Sequence, residues 1–363
     1  MLIAKGMLTL AVLVSLAPGG DDRAQFSQAR AVTPPNPAQR SKELNEEEAA
    51  ALPVPKQPKD LADALAGLSE GTIEERIAKL RKKVLSDLVF IEGGSYMMGD
   101  FGTIWLESRL RISAHDDDKP VHKVTINSFS ISKYKTTYAE YDVFTDGVKK
   151  PRLNAAIDKG IYRYPTIPAG VYWHEARDYC QWLGKITGEP FDLPYEAEWE
   201  YAGRSRGQFF MMATDDGNID EGRNIASSRQ ITRITPVRKS IFGELPDAFL
   251  EGSSPIAIAL FPPSPLGLYD MSYNGEEWMN DWYEANYYKK SPEENPHGPK
   301  TGKRRVTRSY ENGNGFQSGM LVLRFARDPM LLGRGIISNK IEPGPKSGST
   351  VRCVVRKDQP VNH

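Results

Sequence analysis

Three segments with closely spaced aromatic residues and glycines constrain the fold of this chain most strongly. They run from Leu88 to Asp100 (LVFIEGGSYMMGD), from Tyr172 to Tyr201 (YWHEARDYCQWLGKITGEPFDLPYEAEWEY) and from Phe261 to Tyr283 (FPPSPLGLYDMSYNGEEWMNDWY). Short β-rich runs, glycine turns and single amphipathic helices follow one another within them. With 31 Gly and 26 Pro, the chain is typical of a turn-rich globular protein. The pattern favours an α+β domain over a helical bundle.

Taken together, the three segments resemble the formylglycine-generating enzyme family, also called the sulfatase-modifying-factor domain family. The resemblance covers Leu88 to Val355. It implies a formylglycine-generating-enzyme-like, C-type-lectin-like fold with low regular secondary structure, in which long loops are held by aromatic side chains and bound ions. We therefore expect one such domain over residues 87–356, followed by a C-terminal tail at residues 357–363.

The N-terminal residues predict an exported protein. Lys5 precedes an apolar run, Met7 to Ala17, that is too short to span a bilayer, and small residues follow it. We interpret residues 1–19 as a signal peptide, residues 20–60 as a flexible linker and residues 61–86 as a helical brace. The mature protein is then expected in the periplasm or otherwise outside the cytoplasm, without a membrane span.

The charge balance argues against a nucleic-acid partner. Lys and Arg total 47 and Asp and Glu total 47, so no net field attracts polyanions. One basic run contains Lys303, Arg304, Arg305 and Arg308. We interpret it as a solvated strand edge in preference to a phosphate-binding patch.

The resemblance also assigns a role to the two cysteines, Cys180 and Cys353. Their local patterns, ARDYCQW and STVRCVV, match family positions that are commonly joined by a disulfide. Export would support that pairing, because disulfides persist in oxidising compartments.

The metal chemistry of the catalytic family members is missing from this sequence. Those members bind copper(I) with two cysteines beyond a strand that corresponds here to Val306–Tyr310. Asn312 and Gln317 stand near the two thiolate positions, and amides cannot replace soft sulfur ligands. The five histidines do not show the spacing of an iron site. We therefore expect no copper, no iron and no family catalysis.

Calcium is the metal that the resemblance favours. Asn274 and Glu277 match a family loop that supplies hard oxygen ligands, and Asn224 with Ile225 resembles a second such site. The alternative is that Asn274 and Glu277 only hydrogen-bond their own loop.

The functional prediction is an exported, non-catalytic protein that binds a protein partner. Degenerate members of the family include immunity proteins against secreted type VI phospholipase effectors, and such a lipase or toxin is the partner we expect. The alternatives are a family oxidoreductase with unrecognised metal ligands, and a lectin-like carbohydrate-binding or envelope scaffold protein. The candidate contact residues are Phe209, Phe210, Tyr310, Phe316 and Arg324, with burial in the core as the alternative for the aromatics.

Overall fold

The computed structural model describes residues 46–153, 163–236, 239–240, 243–244, 255–310, 319–330, 334–336, 341–343 and 349–361. The predicted signal peptide and the first part of the predicted linker lie outside these residues. In the described part, no helix is both long enough and apolar enough to cross a membrane.

Short helices and shorter strands alternate along the described chain. The helices are α1 (Glu46–Ala51), α2 (Lys59–Gly67), α3 (Ile73–Ser86), α4 (Gly102–Trp105), α5 (Tyr138–Gly147), α6 (Trp173–Thr187), α7 (Glu196–Gly203) and α8 (Ser228–Ile234). The strands are β1 (Leu88–Ile91), β2 (Gly94–Met98), β3 (His122–Ile126), β4 (Phe129–Ser132), β5 (Phe191–Asp192), β6 (Lys239–Ser240), β7 (Gly243–Glu244), β8 (Glu276–Trp282), β9 (Arg305–Arg308), β10 (Phe325–Arg327), β11 (Arg334–Ile336), β12 (Ile341–Pro343), β13 (Ser349–Thr350) and β14 (Val354–Val355).

Two four-stranded sheets organise the domain. The first has the order β1-β4-β14-β5, with antiparallel pairs throughout. The second has the order β10-β9-β8-β13, in which only the β13-β8 pair is parallel. The remaining described strands form the two-stranded pairs β2-β3, β6-β7 and β11-β12. This mixture of small sheets and short helices confirms the predicted α+β fold with little regular secondary structure.

Helix α3, part of the predicted helical brace, begins at a capping box and packs on the domain core. The Thr72 side chain accepts a hydrogen bond from the Glu75 amide, and the Glu75 carboxylate accepts one from the Thr72 amide. Such a reciprocal cap satisfies two otherwise unpaired donors of the first turn. Leu80 and Val84 are buried against the core that α5 and α6 share. Near its last turn, Lys83 forms a buried ion pair with Glu140 of α5, with 2.7 Å between Nζ and Oε1.

The end of the predicted linker is structured. Helix α1 lies inside it, and two hydrogen bonds join the residues after α1 to later parts of the chain. Gln57 donates to the Ile258 carbonyl at 2.9 Å, and Arg233 donates to the Leu52 carbonyl at 3.1 Å. The polar, Pro-rich composition that suggested flexibility does not prevent order here, because its polar groups bond to the folded domain.

Candidate functional site

The two cysteines form a disulfide between α6 and the residue that directly precedes β14. The Cα atoms of Cys180 and Cys353 are 5.7 Å apart, and both residues are fully buried. This confirms the pairing expected from the resemblance. The bond uses every cysteine of the chain, so no thiolate remains to bind a soft metal.

The C-terminal end of β9 is where the resemblance places the catalytic thiolates. Ser309 follows the strand directly, has a φ of 70° and is buried. Its hydroxyl lies 3.4 Å from the Tyr273 carbonyl oxygen, and the Gly275 amide donates to the Tyr310 carbonyl at 2.9 Å. These bonds tie the end of β9 to the loop before β8. Asn312, Phe316 and Gln317 lie outside the described residues.

Glu277 on β8 is the centre of a fully buried ion cluster. The Lys135 ammonium lies 2.8 Å from Oε1, and Arg352 donates to the carboxylate through Nε and Nη2. The Trp199 indole N–H also donates to Oε2 at 2.7 Å. Burial alone would raise the pKa of this carboxyl, but Arg352 and Lys135 outweigh burial and lower the pKa to about 2. Glu277 is therefore ionised at neutral pH and already paired with two cations.

Asn274, the second member of the expected calcium loop, is also occupied. Its Oδ1 accepts from the Ile256 amide at 3.1 Å, and its Nδ2 donates to the Ile256 carbonyl at 3.0 Å. Calcium requires six to eight oxygen ligands. An amide bonded to its loop and a carboxylate neutralised by two cations do not fit that requirement as they are placed. Calcium binding here stays a prediction, and it would require Glu277 to exchange its partners.

Asn224 lies in an acidic loop that is likewise bonded internally. Its Oδ1 accepts from the Asp220 amide at 2.8 Å, and its Nδ2 lies 3.0 Å from Asp215 Oδ1. The adjacent arginine, Arg223, forms ion pairs with three aspartates of the loop: Asp215, Asp216 and Asp220. Ile225 is an apolar core residue. The described part of the chain contains no group of three or more His, Cys, Asp or Glu side chains able to hold a metal.

A second buried ion cluster joins α7 to β9. Arg308 contacts Glu196 and Glu200 at 2.8 Å each. Arg324 contacts the other oxygen of Glu196 at 2.7 Å, and Arg204 pairs with Glu200 at 2.9 Å. The cluster was not predicted from the sequence. Its signal is the i, i+4 spacing of Glu196, Glu200 and Arg204, which places all three on one face of α7.

The predicted partner-contact residues divide into buried and half-buried positions. Arg324 and Phe210 are both buried, at 3% and 5% exposed, and so are not available to a partner. Arg324 is held by Glu196, and Phe210 belongs to the apolar core. Phe209 and Tyr310 are half-buried. Divergence from a family does not distinguish a surface residue from a rearranged core residue, which is why the sequence placed all of them at the surface.

The half-buried aromatics belong to an apolar region around α4 and β10. Phe209 packs on Trp105, with ring centroids 4.6 Å apart, and Tyr310 packs on Phe325 at 5.6 Å. Beneath them lie the buried side chains of Phe101, Val322 and Leu323.

Comparison with known proteins agrees with this architecture. The family model for the sulfatase-modifying factor enzyme 1-like domain matches residues 74–328. The structure of PvdO from Pseudomonas aeruginosa superposes with a TM-score of 0.52 at 20% identity, covering 74% of this chain and 94% of PvdO. At that identity the likeness shows the fold alone.

Two sequence relatives carry different names. The chain is 26% identical over 246 residues to the serine/threonine-protein kinase pkn1 of Chlamydia pneumoniae, covering 62% of this chain and 33% of the kinase. It is 26% identical over 242 residues to the formylglycine-generating enzyme of Bos taurus, covering 53% of this chain and 58% of the enzyme. The chain thus spans about a third of the kinase-named relative and under two thirds of the enzyme.

The small sheets and short helices define a formylglycine-generating-enzyme-like fold. Because the family model covers most of the chain, the protein belongs to the family of the sulfatase-modifying factor enzyme 1-like domain.

Proposed function

We propose that this protein is a non-catalytic member of its family and acts by binding a protein partner outside the cytoplasm. The observation that carries the proposal is the buried Cys180–Cys353 bond in a chain with no other cysteine. Copper(I) oxygen chemistry needs soft thiolate ligands, and this chain has none to offer. The disulfide is also compatible with an extracytoplasmic location, since such bonds are rare in reducing compartments.

The specific partner we propose is a secreted phospholipase effector of the type VI system, for which this protein would be the immunity protein. The support is the resemblance to exported, degenerate family members with that role. A shared fold does not by itself fix a function. Neither relative's name, a kinase or a formylglycine-generating enzyme, supplies a partner for this chain.

The contact surface we propose contains the two predicted aromatics that are half-buried, Phe209 and Tyr310. Leu110, 65% exposed, lies on the loop after α4 and is the most exposed large apolar side chain in the described residues. Partly exposed aromatic side chains on a packed base are typical anchors of protein interfaces. Their support by Trp105 and Phe325 holds the rings in place before binding, which lowers the entropy cost of association.

The test combines protection in cells with binding in solution. A lipase or toxin encoded beside this protein is directed to the periplasm, with and without this protein, and survival is measured. We expect survival only in its presence, together with a stoichiometric complex of the purified pair. Equal survival in both strains would contradict the immunity proposal.

Surface variants locate the interface. Phe209→Ala combined with Tyr310→Ala should weaken binding at least about tenfold. The melting temperature should also fall, because both rings pack on neighbouring aromatics, so binding is compared at a temperature where the variant is fully folded. Val148→Ala is the matched control, because Val148 is exposed at the end of α5. Specific, saturable binding of a glycan by the purified protein would favour the lectin-like alternative. Turnover that depends on added copper or iron would favour the oxidoreductase alternative.

A further inference from the structure

Arg305, at the start of β9, is enclosed by two tryptophan rings. The centre of its guanidinium lies 3.7 Å from the ring centroid of Trp173 and 3.4 Å from that of Trp282. The two rings are 6.5 Å apart and inclined by 24°, so the flat cation lies between two nearly parallel faces. The prediction of a solvated strand edge is wrong for this residue, which is 8% exposed, whereas Lys303 and Arg304 are exposed.

Among the described residues, no carboxylate forms an ion pair with Arg305. Its Nη1 donates to the Asn280 carbonyl oxygen at 2.6 Å, and its buried Nε has no hydrogen-bond partner. The nearby Asp192 is already used, because Arg177 donates to both of its oxygens at 3.1 and 3.2 Å. Asp281 attracts Arg305 electrostatically but forms no ion pair with it, and its Oδ2 accepts a hydrogen bond from the Glu196 amide at 2.8 Å.

Arg177 adds a second cation beside the first. Its guanidinium lies 5.6 Å from the Trp173 ring centroid. Burial, followed by repulsion from Arg177, lowers the pKa of Arg305 to about 10. At neutral pH Arg305 is still a cation, and of the two arginines only Arg177 is ion-paired with Asp192. The rings of Trp173 and Trp282 that flank Arg305 are half-buried, so the edge of the site is open to solvent.

We propose that Arg305, with Arg177 and the two tryptophans, forms a binding site for an oxyanion group, a carboxylate or a phosphate carried by a ligand. Cation–π attraction to the two rings accounts for an arginine at this position, but it does not account for the buried Nε that has no hydrogen-bond partner. A buried cation without an anion is costly, and an anionic ligand removes that cost. Arginine suits the role, since its planar fork matches carboxylate and phosphate oxygens. The site is independent of the partner proposed above.

The test titrates the full-length protein with inorganic phosphate and, separately, with acetate. The ionic strength is held constant, because a change in salt would by itself alter the interactions between exposed charges. Tryptophan fluorescence and melting temperature are the two readouts. Saturable changes in both readouts with either anion are expected for the unmodified protein. Saturation by phosphate alone assigns a phosphate ligand, and saturation by acetate alone assigns a carboxylate.

Arg305→Met keeps an unbranched side chain between the rings and removes the charge. It should weaken anion binding at least about tenfold, whereas the adjacent, exposed Arg304→Met should bind like the unmodified protein. If Arg305→Met does not fold, Arg177→Met should weaken binding in the same assay. No saturable response in the unmodified protein, or an equal response in Arg305→Met or Arg177→Met, would overturn the proposal and leave Arg305 as a structural brace.

Discussion

The ammonium of Lys135 lies 2.8 Å from Oε1 of Glu277, and neither side chain is exposed to solvent. With Arg352 on the same carboxylate, two cations of the chain occupy the oxygens that a metal would use. The loop before β8 is thereby held by ion pairs made within the protein.

Acid should weaken the fold through Glu277. Its pKa is about 2 in the folded protein and 4.5 in the ordinary case, so its stabilisation is complete above the unfolded value and is lost as pH falls toward 2. The pKa difference corresponds to on the order of 3 kcal/mol in the free energy of unfolding. Urea unfolding measured across this pH range checks the prediction. Lys135→Met should shift the loss to higher pH; an unchanged profile in that variant would show that Glu277 does not depend on Lys135.

Calcium, the metal predicted for the loop before β8, should raise the melting temperature, and chelation should reverse the change. The carboxylate oxygens of Glu277 are paired with Lys135 and Arg352, and the side-chain amide of Asn274 is hydrogen-bonded to Ile256. Differential scanning calorimetry with chelator and with added calcium provides the measurement. If calcium at about 100 times its dissociation constant adds roughly 2.7 kcal/mol, the loop must exchange its internal cations for the metal.

Loss of the disulfide should destabilise the domain by about 2–5 kcal/mol, because the bond closes a long loop. The two cysteines are 173 residues apart in sequence. Chemical denaturation of Cys180→Ala combined with Cys353→Ala, compared with the unmodified protein, measures the effect. Reductant should destabilise only the unmodified protein. Alkylation of two thiols in the native protein would show that the bond is absent.

A sulfatase-type Cys-x-Pro-x-Arg peptide should not be converted to formylglycine, with or without added copper or iron. Both cysteines are joined and buried, so neither presents a thiolate to a metal. Mass spectrometry of the peptide over time is the measurement, with an active family enzyme as the positive control. Appearance of the aldehyde product would refute the non-catalytic assignment.

The sequence predicted features that depend on local patterns or on specific motifs. The capping pair Thr72 and Glu75 could be identified because a capping box needs only residues three apart. Cys180 and Cys353 could be paired because each lies in a recognisable motif. Gly188 ends α6 with a φ of 84°, a backbone conformation that favours glycine.

The sequence could not predict which charged residues are buried. Arg305, Arg308 and Arg324 read as surface residues because isolated arginines usually are. Their partners come from distant segments: the rings around Arg305 belong to residues 173 and 282, and the carboxylates around Arg308 to residues 196 and 200. Such pairings follow from the assembled fold and not from the spacing of residues along the chain.

Strand β14 lies between β4 and β5 in the first sheet, with Val354 opposite both Ile131 and Asp192. The first sheet therefore joins β4 to a strand that is synthesised much later in the chain. Such distant pairing slows folding, and it leaves one edge of β4 unpaired until β14 has been synthesised. A product that ends before Ser349 would lack β14 and would present an open strand edge prone to aggregation.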